Sequence, residues 1–165
     1  MSENSALELL KNAILLEKRG KAFYRTAAEQ STNSDVSDFF RTMAEEEVKH
    51  VEILSEQYKA LKKNGVFCAP DTSATGSVSE HVLTPRVKSR LSAADFEAAA
   101  ISAAMLMEER AIALYAQRAE ETTDPEEEKL YRWLADWEKE HLAFLAAIDQ
   151  ELKENIWNDN GFWPM

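Results

Sequence analysis

The sequence predicts an all-α fold, a four-helix bundle built from two duplicated helix pairs. Three observations predict it. Aliphatic residues, Ala, Glu and Lys dominate, with only four Gly and four Pro among 165 residues. Apolar residues recur at helical spacing along four segments. The chain also matches itself at a single offset of 91 residues. This length gives one domain with a core large enough to need no disulfide.

The first helix is expected over about 5 to 30, opened by Ser5-Ala6-Leu7-Glu8 read as a capping box. Leu10, Ala13, Ile14, Tyr24 and Ala28 form its inward stripe. Ser31-Thr32-Asn33-Ser34 ends it and caps a second helix over about 35 to 63, whose stripe is Phe39, Phe40, Met43, Val51, Leu54 and Leu61. Asn64-Gly65 closes that helix, and residues 64 to 91 form a long connection. Its length suits a crossover joining two parallel helices. Ser92-Ala93-Ala94-Asp95 opens a third helix over about 92 to 121. Asp124-Pro125-Glu126-Glu127 opens the fourth, about 125 to 155, with an Asp cap, Pro in the first turn and acid near the positive end of the helix dipole. Residues 156–165 form a short aromatic tail.

At the offset of 91, Ala13, Leu15, Glu17, Arg19, Ala22, Tyr24, Ala28 and Glu29 meet identical residues at Ala104, Leu106, Glu108, Arg110, Ala113, Tyr115, Ala119 and Glu120. Thr32 meets Thr123, and Ala44, Glu47, His50 and Leu54 meet Ala135, Glu138, His141 and Leu145. The fold should therefore carry a pseudo-twofold axis. Trp133, Trp137 and Phe144 break the repeat, since their mates are Thr42, Glu46 and Ile53. They lie roughly 100 to 140 degrees from the ligand face of the fourth helix. Cover for this stripe is expected from the connection, from the tail (Trp157, Phe162, Trp163), or from a second copy in a homodimer.

A net charge of −11 argues against nucleic acid, whose phosphates call for clustered Lys and Arg. One cysteine, Cys68, permits neither an internal disulfide nor a Cys-x-x-Cys metal site, and reads as a free loop thiol. Met1 to Ser5 lacks the pattern of a secretory signal, and no apolar run approaches the roughly 20 residues that span a bilayer. A cytoplasmic location without membrane contact is the expectation. No Ser-His-Asp arrangement, P-loop or dinucleotide fingerprint is found.

Chemistry concentrates in Glu47-Val48-Lys49-His50 and Glu138-Lys139-Glu140-His141. Residues three apart share a helix face, so each Glu and His reach one small volume. Glu47 and His50 lie among Met43, Ala44, Val51 and Leu54; Glu138 and His141 lie among Leu134, Ala135, Leu142 and Leu145. Glu17 and Glu108 each follow an apolar pair by one turn. Four carboxylates and two imidazoles would converge inside the bundle. Unpaired buried carboxylates cost several kcal/mol each, and four together would force some to protonate. Two divalent cations balance four carboxylates. Mixed carboxylate and imidazole donors suit iron first, then manganese or zinc, rather than calcium or magnesium. His81, the third histidine, reads as a loop residue.

Glu in the first helix, Glu-x-x-His in the second, Glu in the third and Glu-x-x-His in the fourth resembles the ferritin-like di-iron carboxylate superfamily. Over about residues 5 to 153 the chain looks most similar to its rubrerythrin branch. The resemblance implies that Glu47 and Glu138 bridge two iron ions, with Glu17 and His50 completing one and Glu108 and His141 the other. It implies that Tyr24 and Tyr115 hydrogen-bond ligating carboxylates. Rubrerythrins usually carry a further ligand Glu one turn after the third-helix Glu, where this chain has Ala111. Gly20 is its repeat mate, and the pair is expected to leave room for oxygen or peroxide. No rubredoxin-like segment is present, so electrons would come from a separate donor protein or from ferrous iron. The activity expected is reduction of hydrogen peroxide or dioxygen at a di-iron centre. The alternatives are ferroxidase or iron storage, a dimanganese catalase-like activity, and a metal-free structural bundle.

Overall fold

The computed structural model describes residues 3–32, 34–70 and 95–159. Four helices account for nearly all of them: α1, Glu3–Gln30; α2, Ser34–Asn64; α3, Asp95–Glu121; and α4, Pro125–Asp159. Among the described residues no helix is long and apolar enough to cross a membrane.

Each helix pair forms an antiparallel hairpin that packs chiefly on itself, while α1 meets α3 along a thinner seam. Two apolar clusters fill the interior. One holds Tyr24, Phe39, Phe40, Met43, Ile101 and Leu145, so it joins the C-terminal half of α1 to the N-terminal halves of α2 and α3. The other holds Leu10, Leu54, Tyr115, Leu130, Tyr131 and Leu134, at the opposite end. The pseudo-twofold axis exchanges them: Tyr24 with Tyr115, Phe40 with Tyr131, Met43 with Leu134. Thus α2 and α3 run parallel, as the long crossover predicts, and the layer between the clusters is where the repeated Glu and His residues lie.

Local chemistry explains the helix ends. Asp124 Oδ1 accepts the backbone N–H groups of Glu126 at 2.9 Å and Glu127 at 3.1 Å, so it caps α4 as the sequence predicts. Gly65 takes a φ of 72° and donates to the Leu61 carbonyl at 2.8 Å, the left-handed stop that glycine supplies without steric penalty. The chain then turns back. Gln57 clasps the Cys68 backbone, donating from Nε2 to its carbonyl at 3.0 Å and accepting its N–H at 3.1 Å. Cys68 is a free, exposed thiol.

Two boundaries differ from the sequence reading. Helix α1 starts at Glu3, which places Ser5 inside the helix; Glu8 pairs with Lys11 at 2.5 Å instead of returning to a cap. Helix α4 runs to Asp159 and absorbs Trp157, because Asn155 is no helix breaker and the first glycine beyond it is Gly161. The caps at Asn33 and Ser92, His81, Phe162, Trp163 and most of the crossover lie outside the described residues.

On the aromatic stripe of α4, Trp137 and Phe144 are buried, and each packs against a residue of α2. Phe144 meets Phe39 with ring centroids 5.2 Å apart, and Trp137 meets the His50 ring edge-on at 4.5 Å.

Candidate metal centre

The central layer collects Glu17 from α1, Glu47 and His50 from α2, Glu108 from α3, and Glu138 and His141 from α4. None is more than 3% exposed. Leucines and aromatics pack above and below them, so their charges interact at short range in a poorly screened environment.

The six side chains form two interlocked groups, Glu17, Glu47, His50 and Glu138, and Glu47, Glu108, Glu138 and His141. Within each, one donor atom per residue lies within 4.8 Å of all the others. Glu47 and Glu138 belong to both. Glu138 turns Oε1 to His50 Nδ1 at 2.9 Å and Oε2 to His141 Nδ1 at 3.0 Å. Glu47 likewise turns Oε2 to His50 Nδ1 at 3.5 Å and Oε1 to His141 Nδ1 at 3.8 Å. Glu17 Oε2 lies 3.2 Å from His50 Nδ1, and Glu108 Oε1 lies 3.9 Å from His141 Nδ1. The imidazoles face one another with centroids 5.6 Å apart.

This donor set fits a pair of cations. Two carboxylates divide their oxygens between two imidazoles, and a terminal carboxylate stands at each end. Glu138 Oε1 is buried without a hydrogen-bond partner despite its closeness to His50. It lies in the space shared by the other donor atoms, where a cation would satisfy it.

Where no cation is present, protons must balance the charge. Burial, followed by the charges of Glu138 and Glu17, pushes the Glu47 carboxyl well above the usual carboxylate range. Burial and Glu138 do the same to Glu108. Burial also opposes the charge on Glu17, but hydrogen bonds with Glu47 and His50 outweigh it and hold this carboxyl at about 2. His50 is desolvated too, yet the adjacent Glu138 raises it well above an ordinary histidine. Burial takes His141 down to about 4. Two pairs of sequence mates, Glu17 with Glu108 and His50 with His141, thus acquire opposite shifts, because one proton placed on either half changes the field at the other.

Each tyrosine reaches across the pseudo-twofold axis. Tyr24 of α1 donates to Glu108 Oε1 of α3, and Tyr115 of α3 donates to Glu17 Oε1 of α1. Burial pushes both phenols well above their ordinary value, so they stay protonated and act as donors. Both partners are carboxylates, as the resemblance implies, and each belongs to the other hairpin. Crossing is what the antiparallel arrangement of α1 and α3 produces.

Gly20 and Ala111 line a cavity of about 200 Å³ between α1 and α3, with Glu17, Glu47 and Glu108 on its inner wall and Arg19 and Arg110 beside it. A Cβ on Gly20 would stand 3.4 Å from Glu47 Cδ, so the missing side chain is part of the space beside that carboxylate.

Two neighbours of the centre escaped the sequence reading. Trp137 packs on His50, and Glu46, its repeat mate, is buried with Oε1 2.6 Å from Lys49 Nζ and Oε2 unpartnered. The break in the repeat at these positions was the available signal. A family model described as rubrerythrin matches residues 8–149 of this chain. Comparison with curated proteins and with solved structures gives no match.

Proposed function

The chain belongs to the rubrerythrin family, and on that premise we propose that it is a di-iron oxidoreductase that reduces hydrogen peroxide or dioxygen. The division of the Glu47 and Glu138 oxygens between His50 and His141 carries this reading. Glu17 and His50 would complete one iron site, and Glu108 and His141 the other. Bound iron supplies two electrons from one location together with Lewis acidity toward oxygen atoms.

The protein's own contributions follow from the geometry. Glu47 and Glu138 fix the spacing of the pair. Tyr24 and Tyr115 hold the terminal carboxylates Glu108 and Glu17, the outer support that keeps ligands oriented. The cavity beside Gly20 has room for a small oxidant at the carboxylate edge. Apolar packing at both ends excludes bulk water. Electrons would come from a separate redox protein or from ferrous iron itself.

Anaerobic loading with ferrous iron, metal analysis, and stopped-flow mixing with peroxide or oxygen test the proposal. Two irons per chain and oxidation far faster than that of free ferrous iron are expected. Gly20→Leu should retain iron and slow oxidation by peroxide about tenfold by filling the cavity. Failure to bind iron, or oxidation no faster than in buffer, would sink the assignment. Rapid oxidation followed by deposition of many irons per chain would favour iron handling instead.

A further inference from the structure

We propose that Trp137 and Trp133 form an electron path between the metal centre and the protein surface on the α4 side. This rests on a redox-active centre as proposed above, but not on which oxidant that centre reduces.

The path is a row of rings. His50, fully buried in the ligand layer, meets Trp137 edge-on with centroids 4.5 Å apart, and Trp137 meets Trp133 edge-on at 4.8 Å. Trp137 is 3% exposed, while Trp133 is half-buried and lines an open depression with Ala69, Pro70, Lys129 and Arg132. Electronic coupling decays exponentially with distance, so consecutive ring contacts replace one long passage by short ones.

Packing alone does not account for these indoles. Their repeat mates are Thr42 and Glu46, so the other half of the same bundle fills equivalent positions without an aromatic ring. Trp137 also carries a cost that a phenylalanine would avoid. Among the described residues its Nε1–H is buried without a partner, an uncompensated desolvation. That orphaned N–H has a redox consequence. An oxidised indole with a nearby base loses its proton and settles as a neutral radical. Among the described residues no group accepts the Trp137 N–H, so its proton has no hydrogen-bonded acceptor to move to, and the oxidised indole stays a radical cation that passes the vacancy onward.

The steps balance one electron at a time. A strong one-electron oxidant at the surface, such as a photo-oxidised ruthenium complex, takes an electron from Trp133; Trp137 refills Trp133; the reduced centre refills Trp137 and ends one electron more oxidised. No bond is made and the Trp137 proton stays in place. In the opposite direction, a one-electron redox protein docked at Trp133 returns an electron to the oxidised centre by tunnelling across the same ring contacts, with neither indole changing oxidation state.

The duplication provides the control. Lys129 on α4 and Asp38 on α2 are repeat mates, both exposed. In a Cys68→Ser background, Lys129→Cys or Asp38→Cys is labelled with a ruthenium polypyridyl photosensitiser. The iron-loaded, reduced protein is then flash-oxidised in the presence of a soluble quencher. Transient absorption follows the indole radical and the appearance of ferric iron. The label at 129 should oxidise the centre at least tenfold faster than the label at 38, and Trp137→Phe or Trp133→Phe should abolish that advantage while iron content is unchanged. In metal-free protein the indole radical should form and persist. Equal rates from the two labels, or rates indifferent to both tryptophan replacements, would overturn the proposal. A protein that ignores peroxide and oxygen yet shows the fast path would sink the proposed function and leave the path standing.

Discussion

The two halves of this bundle are copies where they hold the central layer and diverge one shell outward. Glu17, Glu47, His50 and Tyr24 recur as Glu108, Glu138, His141 and Tyr115. Around them, Ala27 and Val36 pack apolar faces near the α1–α2 turn, whereas the same positions near the α3–α4 turn hold Arg118 and Glu127, a buried ion pair at 2.6 Å. Phe40 is replaced by Tyr131, and Glu46 by Trp137. A ligand position tolerates few side chains because donor atom, reach and direction are all specified. A packing position accepts any solution that fills the volume and pairs its polar atoms. Equivalence in the first layer therefore coexists with dissimilar surroundings.

The largest expected effect tests the interlocking of the two groups. Glu47→Gln should deplete both ions, since this carboxylate faces both histidines, while Glu17→Gln should empty mainly one. Metal analysis after gel filtration decides it, and equal losses from the two variants would break the distinction between shared and terminal ligands.

Next comes the divergent shell. Arg118→Ala leaves the Glu127 carboxylate buried without its main cation and should cost about 3–5 kcal/mol in urea unfolding. Adding Glu127→Val copies the Ala27 and Val36 solution of the first hairpin and should recover most of that loss. A double variant no more stable than the single one would mean that the hairpins do not share interchangeable packing.

The smallest effect concerns pH. Glu47 and Glu108 have folded pKa values raised above 4.5, and His50 one raised above 6.5. Stability contributed by their protonated forms is fully present below those ordinary values and is lost as pH rises through the raised ones. Glu17 and His141, shifted down to about 2 and about 4, change only on the acid side of neutrality. Metal-free protein should thus lose several degrees of Tm as the pH is raised above about 6.5. Loaded protein, with carboxylates ionised against cations, should lose less. Parallel melting curves across that range would contradict the charge balance described.

The buried Glu and His layer was legible in the sequence because polar side chains on apolar helix faces are conspicuous, and one repeated offset tied all six together. The caps at Asp124 and Gly65 were legible because each rests on local chemistry. Ser5 misled because Ser-x-x-Glu is satisfied equally well inside a helix, with Glu8 turned to Lys11. The partners of Tyr24 and Tyr115 could not be read from one helix, since they depend on how α1 lies across α3. Trp137 was seen as an outlier of the repeat, but its contact with His50 is set by the packing of α2 on α4.

Each candidate ion site draws three of its side chains from one hairpin and the fourth from the other. Neither hairpin is a complete receptor by itself, and the seam between α1 and α3 is thin. A bound ion pair would act as a rivet through that seam, so that occupancy and the mutual alignment of the hairpins become one variable, and the first helix pair learns through the metal what happens to the second.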